Sequence, residues 1–168
     1  MKDDARRRAL DYLASHHVMT LATGGADGPW AAGVFYVSDG LTLYFLSSPT
    51  SRHGADLAAN PRVAVTIHED YADWPQIKGI QAEGRACALA GDEEKRARAL
   101  YGDKYPLVGK LAQAPAAIVK AIAKVCWYRF TPRRMYFIDN SRGFGHRDEI
   151  DCSAAASPHA NEDARGVR

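Results

Sequence analysis

Hydrophobic positions along this chain follow two periods. Between Asp3 and His16, Ala5, Ala9, Tyr12 and Leu13 recur at helical spacing, with Asp3 or Asp4 placed to cap the first turn. The period then shortens. Val18–Ala22 reads as a strand, and Gly24-Gly25-Ala26-Asp27-Gly28-Pro29 is a dense turn signal. Two further strands, Trp30–Val37 and Leu41–Leu46, meet at Asp39-Gly40, a strong hairpin cue. Arg52–Ala59 is a short helix closed by Asn60-Pro61, and Arg62–His68 alternates with Val63, Val65 and Ile67 on one face. Glu69–Gln76 is a polar loop carrying Tyr71 and Trp74. Ile77–Leu89 is a longer strand in which Gly79 and Gly84 mark bulges or close approaches. Asp92–Tyr105 is a helix with Asp92 as its cap, and Leu107–Ala123 gives one or two helical pieces broken at Pro115. Val125–Phe130 and Arg134–Ile138 are strands either side of Thr131-Pro132. Strands in hairpin order with late helices predict a mainly β fold, an antiparallel barrel or half-barrel with peripheral helices.

Composition narrows the class. At 168 residues, with 46% hydrophobic and 25% charged positions, the chain fits one domain with an ordinary soluble core. From Asp151 to Arg168 it turns small, polar and aperiodic, which predicts a disordered tail after a domain spanning 1–150. A net charge of +2 gives no electrostatic footprint for nucleic acid, and Arg6-Arg7-Arg8 sits among Asp3, Asp4 and Asp11 on a solvated helix face. No run approaches the roughly 18 apolar residues of a membrane span. The start, Met1-Lys2-Asp3-Asp4, is acidic where a signal peptide would be basic and then apolar, so a cytoplasmic protein is expected. Cys87, Cys126 and Cys152 have no paired spacing. The first two read as small buried hydrophobes, the third as an exposed tail residue.

The richest chemistry lies where the Leu41–Leu46 strand hands over to the next helix, at Ser47-Ser48-Pro49-Thr50-Ser51-Arg52-His53. N–H groups at a helix start are unpaired and carry partial positive charge, so hydroxyls, a guanidinium and an imidazole gathered there form a candidate anion cradle. The same residues also suit a simple N-cap at Ser51 with solvated neighbours. Elsewhere the signals are weaker. His16-His17 cannot share one metal from adjacent positions, and His68-Glu69-Asp70 fits a strand running into solvent. No zinc, Walker or nucleophile-elbow spacing occurs. Asp139-Asn140-Ser141-Arg142-Gly143-Phe144-Gly145-His146 is a turn by composition, with an aromatic between two glycines that points to a partner or a ligand. No acid–base or nucleophile set stands out, so the catalytic residues are unassigned. Any reaction would run on a cofactor.

These residues also carry a resemblance. Leu21-Ala22-Thr23, Leu43-Tyr44-Phe45-Leu46-Ser47-Ser48, Ser51-Arg52-His53, Asn60-Pro61-Arg62-Val63-Ala64-Val65 and Gly79–Ala86 resemble the flavin-binding split β-barrel of the pyridoxamine 5′-phosphate oxidase superfamily. Tyr128-Arg129-Phe130-Thr131-Pro132 is similar to its late strand. Asp139-Asn140 with Gly143-Phe144-Gly145 resembles a small bacterial subgroup of the YhbP type.

The resemblance implies a six- or seven-stranded antiparallel split β-barrel and a homodimer with FMN in clefts at the subunit interface. It also implies a small-molecule substrate, while the low net charge and the lack of an apolar span leave neither nucleic acid nor membrane as an expected partner. Ser51, Arg52 and His53 would hold the phosphate, and Leu46, Ser47 and Ser48 would follow the ribityl chain. Backbone of Gly33, Val34 and Phe35 would meet the isoalloxazine edge, Gln81 its pyrimidine end, and Asn140 and Phe144 would close the cleft from the partner. His53 stands where lysine is frequent, which predicts weaker FMN binding at alkaline pH. An Arg-x-His substrate grip is missing, which argues against pyridoxal phosphate synthesis. An FMN oxidoreductase leads. A flavin-storing or flavin-sensing dimer, a haem protein using His146 or His68, a deazaflavin protein and an unliganded dimer are the alternatives.

Overall fold

Strict alternation builds the barrel. In a computed structural model that describes residues 2–156, β1 (Val18–Gly25) buries Met19, Leu21 and Thr23 and turns the residues between them outward. The same alternation runs through β2 (Gly28–Asp39), β4 (Arg62–His68) and β5 (Lys78–Ala88), whose inward residues include Val34, Tyr36, Val63, Val65, Ile67 and Ile80. With β3 (Thr42–Ser47) and β6 (Cys126–Asp139) the ladder runs β3-β2-β1-β4-β5-β6, all antiparallel. It closes where Leu43 to Ser47 of β3 pair with Phe130 to Cys126 of β6. A seventh strand, β7 (Arg147–Ile150), hangs on β6. The fold is mainly β, a six-stranded closed barrel plus one strand with peripheral helices.

Helices complete the core. α1 (Lys2–Ser15) places Ala5, Ala9, Tyr12 and Leu13 in the barrel's apolar cluster, and the Leu13 carbonyl accepts from the Tyr36 hydroxyl at 2.8 Å. α2 (Arg52–Ala59) adds Leu57 to that cluster. α3 (Gly91–Lys104) lies outside, where Ala97 and Tyr101 pack with Val37, Tyr44 and Trp127 in a second cluster. Each large apolar side chain so buried contributes about 1.5–3 kcal/mol. α4 (Pro106–Gly109) and α5 (Ala116–Ile122) follow, separated by Leu111–Gln113 in a 3-10 turn and by Pro115. No helix among the described residues is long and apolar enough to cross a membrane.

Four local expectations change. The two strands expected around Thr131-Pro132 are one strand, because a register shift at Glu83/Gly84 leaves Arg133 unopposed and spares Pro132 a ladder N–H. Gly84 is required there, since a Cβ would sit 2.1 Å from the Thr131 carbonyl oxygen. Asp92 does not cap α3. The helix starts at Gly91, and Asp92 pairs with Lys95 at 2.8 Å inside its first turn. β7 has no signal in the sequence, because only Ile150 of its four residues is buried. The expected polar tail begins with a 3-10 turn, Ser153–Ala156. There Cys152 and Ala155 pack on the core, so Cys152 is half-buried and its Sγ donates to the Ile150 carbonyl at 3.4 Å. Residues 157–168 lie outside the described residues.

Candidate functional site

The β3–α2 junction is a polar knot. Ser47, the buried last residue of β3, bonds through Oγ to His53 Nε2 and lies 3.5 Å from the Ser51 hydroxyl. Ser51 is the N-cap of α2: its Oγ accepts from the Gly54 N–H at 3.1 Å and donates to the Ser48 carbonyl at 2.7 Å. Ser48 Oγ meets Thr50 Oγ1 at 2.9 Å. The loop can fold this tightly over the helix because residue 54 is glycine. A Cβ there would lie 2.3 Å from the Ser48 carbonyl oxygen and 3.0 Å from Pro49 backbone. Two hydroxyls, those of Ser47 and Ser51, and the His53 imidazole thus meet at the start of α2, where Ser51 caps the Gly54 N–H. Ser51 is the simple N-cap that the sequence also suits.

Arg52 does not join them. Neighbours on a helix point roughly 100° apart at 3.6 residues per turn, and Arg52 turns to the β1–β2 hairpin. There its guanidinium donates to the Asp27 carbonyl at 3.1 Å and lies 4.7 Å from the Trp30 ring. Burial pushes the His53 imidazole below its ordinary value, partly offset by the nearby Asp56 carboxylate. Any change of charge on His53 therefore falls on the acid side of neutrality, rather than across the alkaline range that the sequence suggests.

β2 supplies the neighbouring edge. Tyr36 N–H donates to the His17 carbonyl at 3.0 Å, so by alternation the backbone groups of Gly33 and Phe35 point to the strand's other edge. Pairing with β3 begins only at Tyr36, so Gly33 lies beyond the end of that ladder. Phe35 is exposed, whereas the Val34 side chain is buried in the barrel and offers only backbone. Leu46 is half-buried and packs against the second apolar cluster.

The remaining expected residues lie elsewhere. Across the outer face, register aligns Gly33, Thr20, Thr66, Gln81 and Tyr136 in one row. Gln81 is therefore three strand spacings, roughly 14 Å, from Gly33 and does not meet it within one chain. Gln81 instead lines an open groove of about 380 Å³ with Glu83, Arg134, Tyr136 and Arg147 over a floor of Ala22 and Ala64. Sequence reading missed the last three side chains of its wall. Their signal was the alternation of Arg134 and Tyr136 on β6 opposite Glu83 and Gln81 on β5.

Asn140 ties loops together: its Nδ2 donates to the Trp74 carbonyl at 2.9 Å and its Oδ1 accepts from Gly145 N–H at 3.1 Å. Phe144 is 82% exposed and its ring lies 5.7 Å from that of exposed Trp74. His146 Nε2 lies 3.2 Å from Asp148, inside a network in which Arg8 reaches Asp139 and Asp148 at 2.8 Å each. Burial alone would raise Asp148, but hydrogen bonds and charge from Arg8 and His146 hold it below the ordinary carboxylate range. His68 is exposed beside the Glu69 carbonyl. Among the described residues no three His, Cys, Asp or Glu gather as a metal site.

Known proteins share this architecture. The family model described as pyridoxamine 5′-phosphate oxidase matches residues 5–139. A UPF0306 protein of Photorhabdus laumondii is 34% identical over 138 residues, which cover 81% of this chain and 88% of that protein. Among solved structures, a heme binding protein from Mycobacterium smegmatis is similar with a TM-score of 0.70 and 28% identity, over 90% of this chain and 59% of that one. A FAD-binding protein from Mesorhizobium loti shares the fold with a TM-score of 0.56 and 19% identity, over 77% and 90% of the two chains. With the closed barrel, the family match and the UPF0306 relative in agreement, this chain belongs to the pyridoxamine 5′-phosphate oxidase family, in an uncharacterised subgroup.

Proposed function

We propose that this chain binds FMN and acts as an oxidoreductase, passing hydride or electrons between a reduced nicotinamide or similar donor and a small acceptor. The observation that carries this reading is the convergence of Ser47, Ser51 and His53 on the N-terminus of α2, held closed by Gly54. Such a set suits a phosphate: hydroxyls and helix N–H groups donate, and the helix end supplies positive potential. Ser48 and Leu46 would flank the ribityl chain, and the β2 backbone around Gly33, Val34 and Phe35 would lie along the ring edge. Bound FMN would supply the redox chemistry. The protein's own groups would position it and exclude water.

A homodimer belongs to the same reading. Val18 and Phe35 are 45% and 55% exposed beside the small outward residues Ala31 and Gly33, an apolar face suited to a second copy. Gln81, Asn140 and Phe144 would then serve the cleft from the partner side. Retention of FMN after desalting, lost in Ser47→Ala/His53→Gln and followed by reduction with NADPH and turnover on an added acceptor, tests the proposal. Retention without turnover would leave a flavin-storing or flavin-sensing dimer.

Haem is the second reading, favoured by the heme binding protein among the structural relatives. Its ligand would not be His146 in this conformation, because that ring's Nε2 faces Asp148. A Soret band on adding haem, lost in His68→Ala, would promote it. Deazaflavin remains the third candidate for the same cradle.

A further inference from the structure

One histidine is held between two acceptors. His16 follows the last residue of α1, and its ring stacks on that of Tyr12 with centroids 3.7 Å apart and planes at 21°. Its Nδ1 lies 2.7 Å from the Tyr12 carbonyl oxygen and its Nε2 lies 2.9 Å from Glu69 Oε1. A carbonyl oxygen and an ionised carboxylate accept hydrogen bonds and cannot donate them, so each ring nitrogen must supply an N–H. Only the imidazolium carries both. A neutral ring would set one nitrogen lone pair against an oxygen lone pair.

Few groups surround this ring. Its own helix supplies Tyr12 and Ser15, whose Oγ lies 3.1 Å from Nδ1 and donates to the Tyr12 carbonyl at 3.1 Å. From α3, the Lys104 ammonium donates to the His16 carbonyl. His17 turns instead to the Tyr105 ring. Glu69, 53 residues away in sequence, is the one carboxylate paired with the ring among the described residues. The loop that begins at Glu69 has a second tie, between the Tyr71 and Tyr12 hydroxyls at 3.2 Å. Burial pushes the Tyr12 hydroxyl far above its ordinary range, so the second tie keeps its proton where an imidazole loses one. Further along the loop, the Trp74 carbonyl accepts from Asn140 and the Trp74 ring meets Phe144.

We propose that His16 and Glu69 form a proton-operated latch on the Glu69–Gln76 loop. It is closed while the imidazole carries both protons and released when the ring loses one. Geometry sets the sign: raising the pH removes an N–H from a pair of bonds that needs two, so the loop loosens on the alkaline side of the imidazole's range. Through Trp74 and Asn140 the release reaches the Phe144 turn. The latch stands whether or not a flavin binds.

Hydrogen exchange of the full chain tests it, read at the Gln76 and Ile77 amides, which donate to the Asp73 and Trp74 carbonyls. Rates are corrected for the intrinsic pH dependence of exchange, with the β4 amides as control. From about pH 5.5 to about pH 8.5, either side of an ordinary imidazole, loop protection should fall by about three- to fivefold while β4 holds steady. The fall should disappear in His16→Gln and in Glu69→Gln. Nitrogen NMR of the wild-type ring supplies a reading that no variant's folding can confuse, because the loop must loosen with the same midpoint as the ring loses its proton. Loop protection independent of pH, the same fall in His16→Gln, or a loop midpoint apart from that of the ring would each overturn the proposal.

Discussion

The proposed cradle at the β3–α2 junction and the outer-face groove are both polar, yet they are built in opposite ways. The cradle comes from seven consecutive residues, Ser47 to His53, at one strand-to-helix junction. The groove draws on five strands, with lining residues from Thr20 to Arg147. The first is made by local hydrogen bonds and one glycine, the second by register. A site of the first kind should fail through its own loop, and one of the second kind through anything that shifts a strand.

The largest expected effect sharpens that contrast from the groove side. Arg8 is mostly buried and bridges Asp139 and Asp148, pinning β7 and the end of β6 to α1. Arg8→Ala would take the guanidinium from the buried Asp139 and leave Asp148 with His146, at a cost of about 3 kcal/mol. The melting midpoint should fall by several degrees, and amide exchange should accelerate in β7, which carries Arg147, more than at the cradle. Uniform loosening would break the contrast.

Gly54→Ala attacks the other region. Its Cβ would meet Ser48 and Pro49 backbone rather than a flexible side chain, so the loop must move, at about 1–3 kcal/mol. FMN retention should fall while amide exchange in β7 stays as in wild type. Ser51→Ala removes one cap and should cost about 1 kcal/mol of stability, with a partial loss of flavin.

The smallest effect is a pH dependence. His53 is depressed below its ordinary value of 6.5, so the unfolded chain binds more protons there than the folded chain. The imidazole's contribution to stability is present above that ordinary value and is lost as pH falls through the folded one. A bound phosphate favours the protonated ring, so FMN affinity should rise over the same acid window while the ligand-free protein becomes less stable. His53→Gln should flatten both trends, as followed by flavin titration and thermal melts.

The same contrast explains what the sequence revealed. The inward alternation of Val63, Val65 and Ile67, the Asp39-Gly40 turn and the helix from Arg52 to Ala59 are local signals, and the structure follows them. Ser47, Ser51 and His53 were legible because they lie within one turn of a recognisable helix start. Arg52 points away from them, since adjacency in sequence is not adjacency around a helix, and its stacking on Trp30 depends on a hairpin more than twenty residues earlier. Arg134, Tyr136 and Arg147 became meaningful only once the β5–β6 register was known, including the bulge at Arg133 that resets the phase of β6. β7 was illegible for a related reason. Its four residues are held by ladder bonds and by Arg8, which lies 140 residues away in sequence from Asp148.

The most direct test is the visible spectrum of the protein after incubation with FMN and desalting, compared among wild type, Ser47→Ala/His53→Gln and Arg134→Gln/Arg147→Gln. A two-band flavin spectrum is expected in the wild type and in the arginine variant, and none in the cradle variant. A colourless wild type, or flavin lost from the arginine variant and kept by the cradle variant, would contradict it.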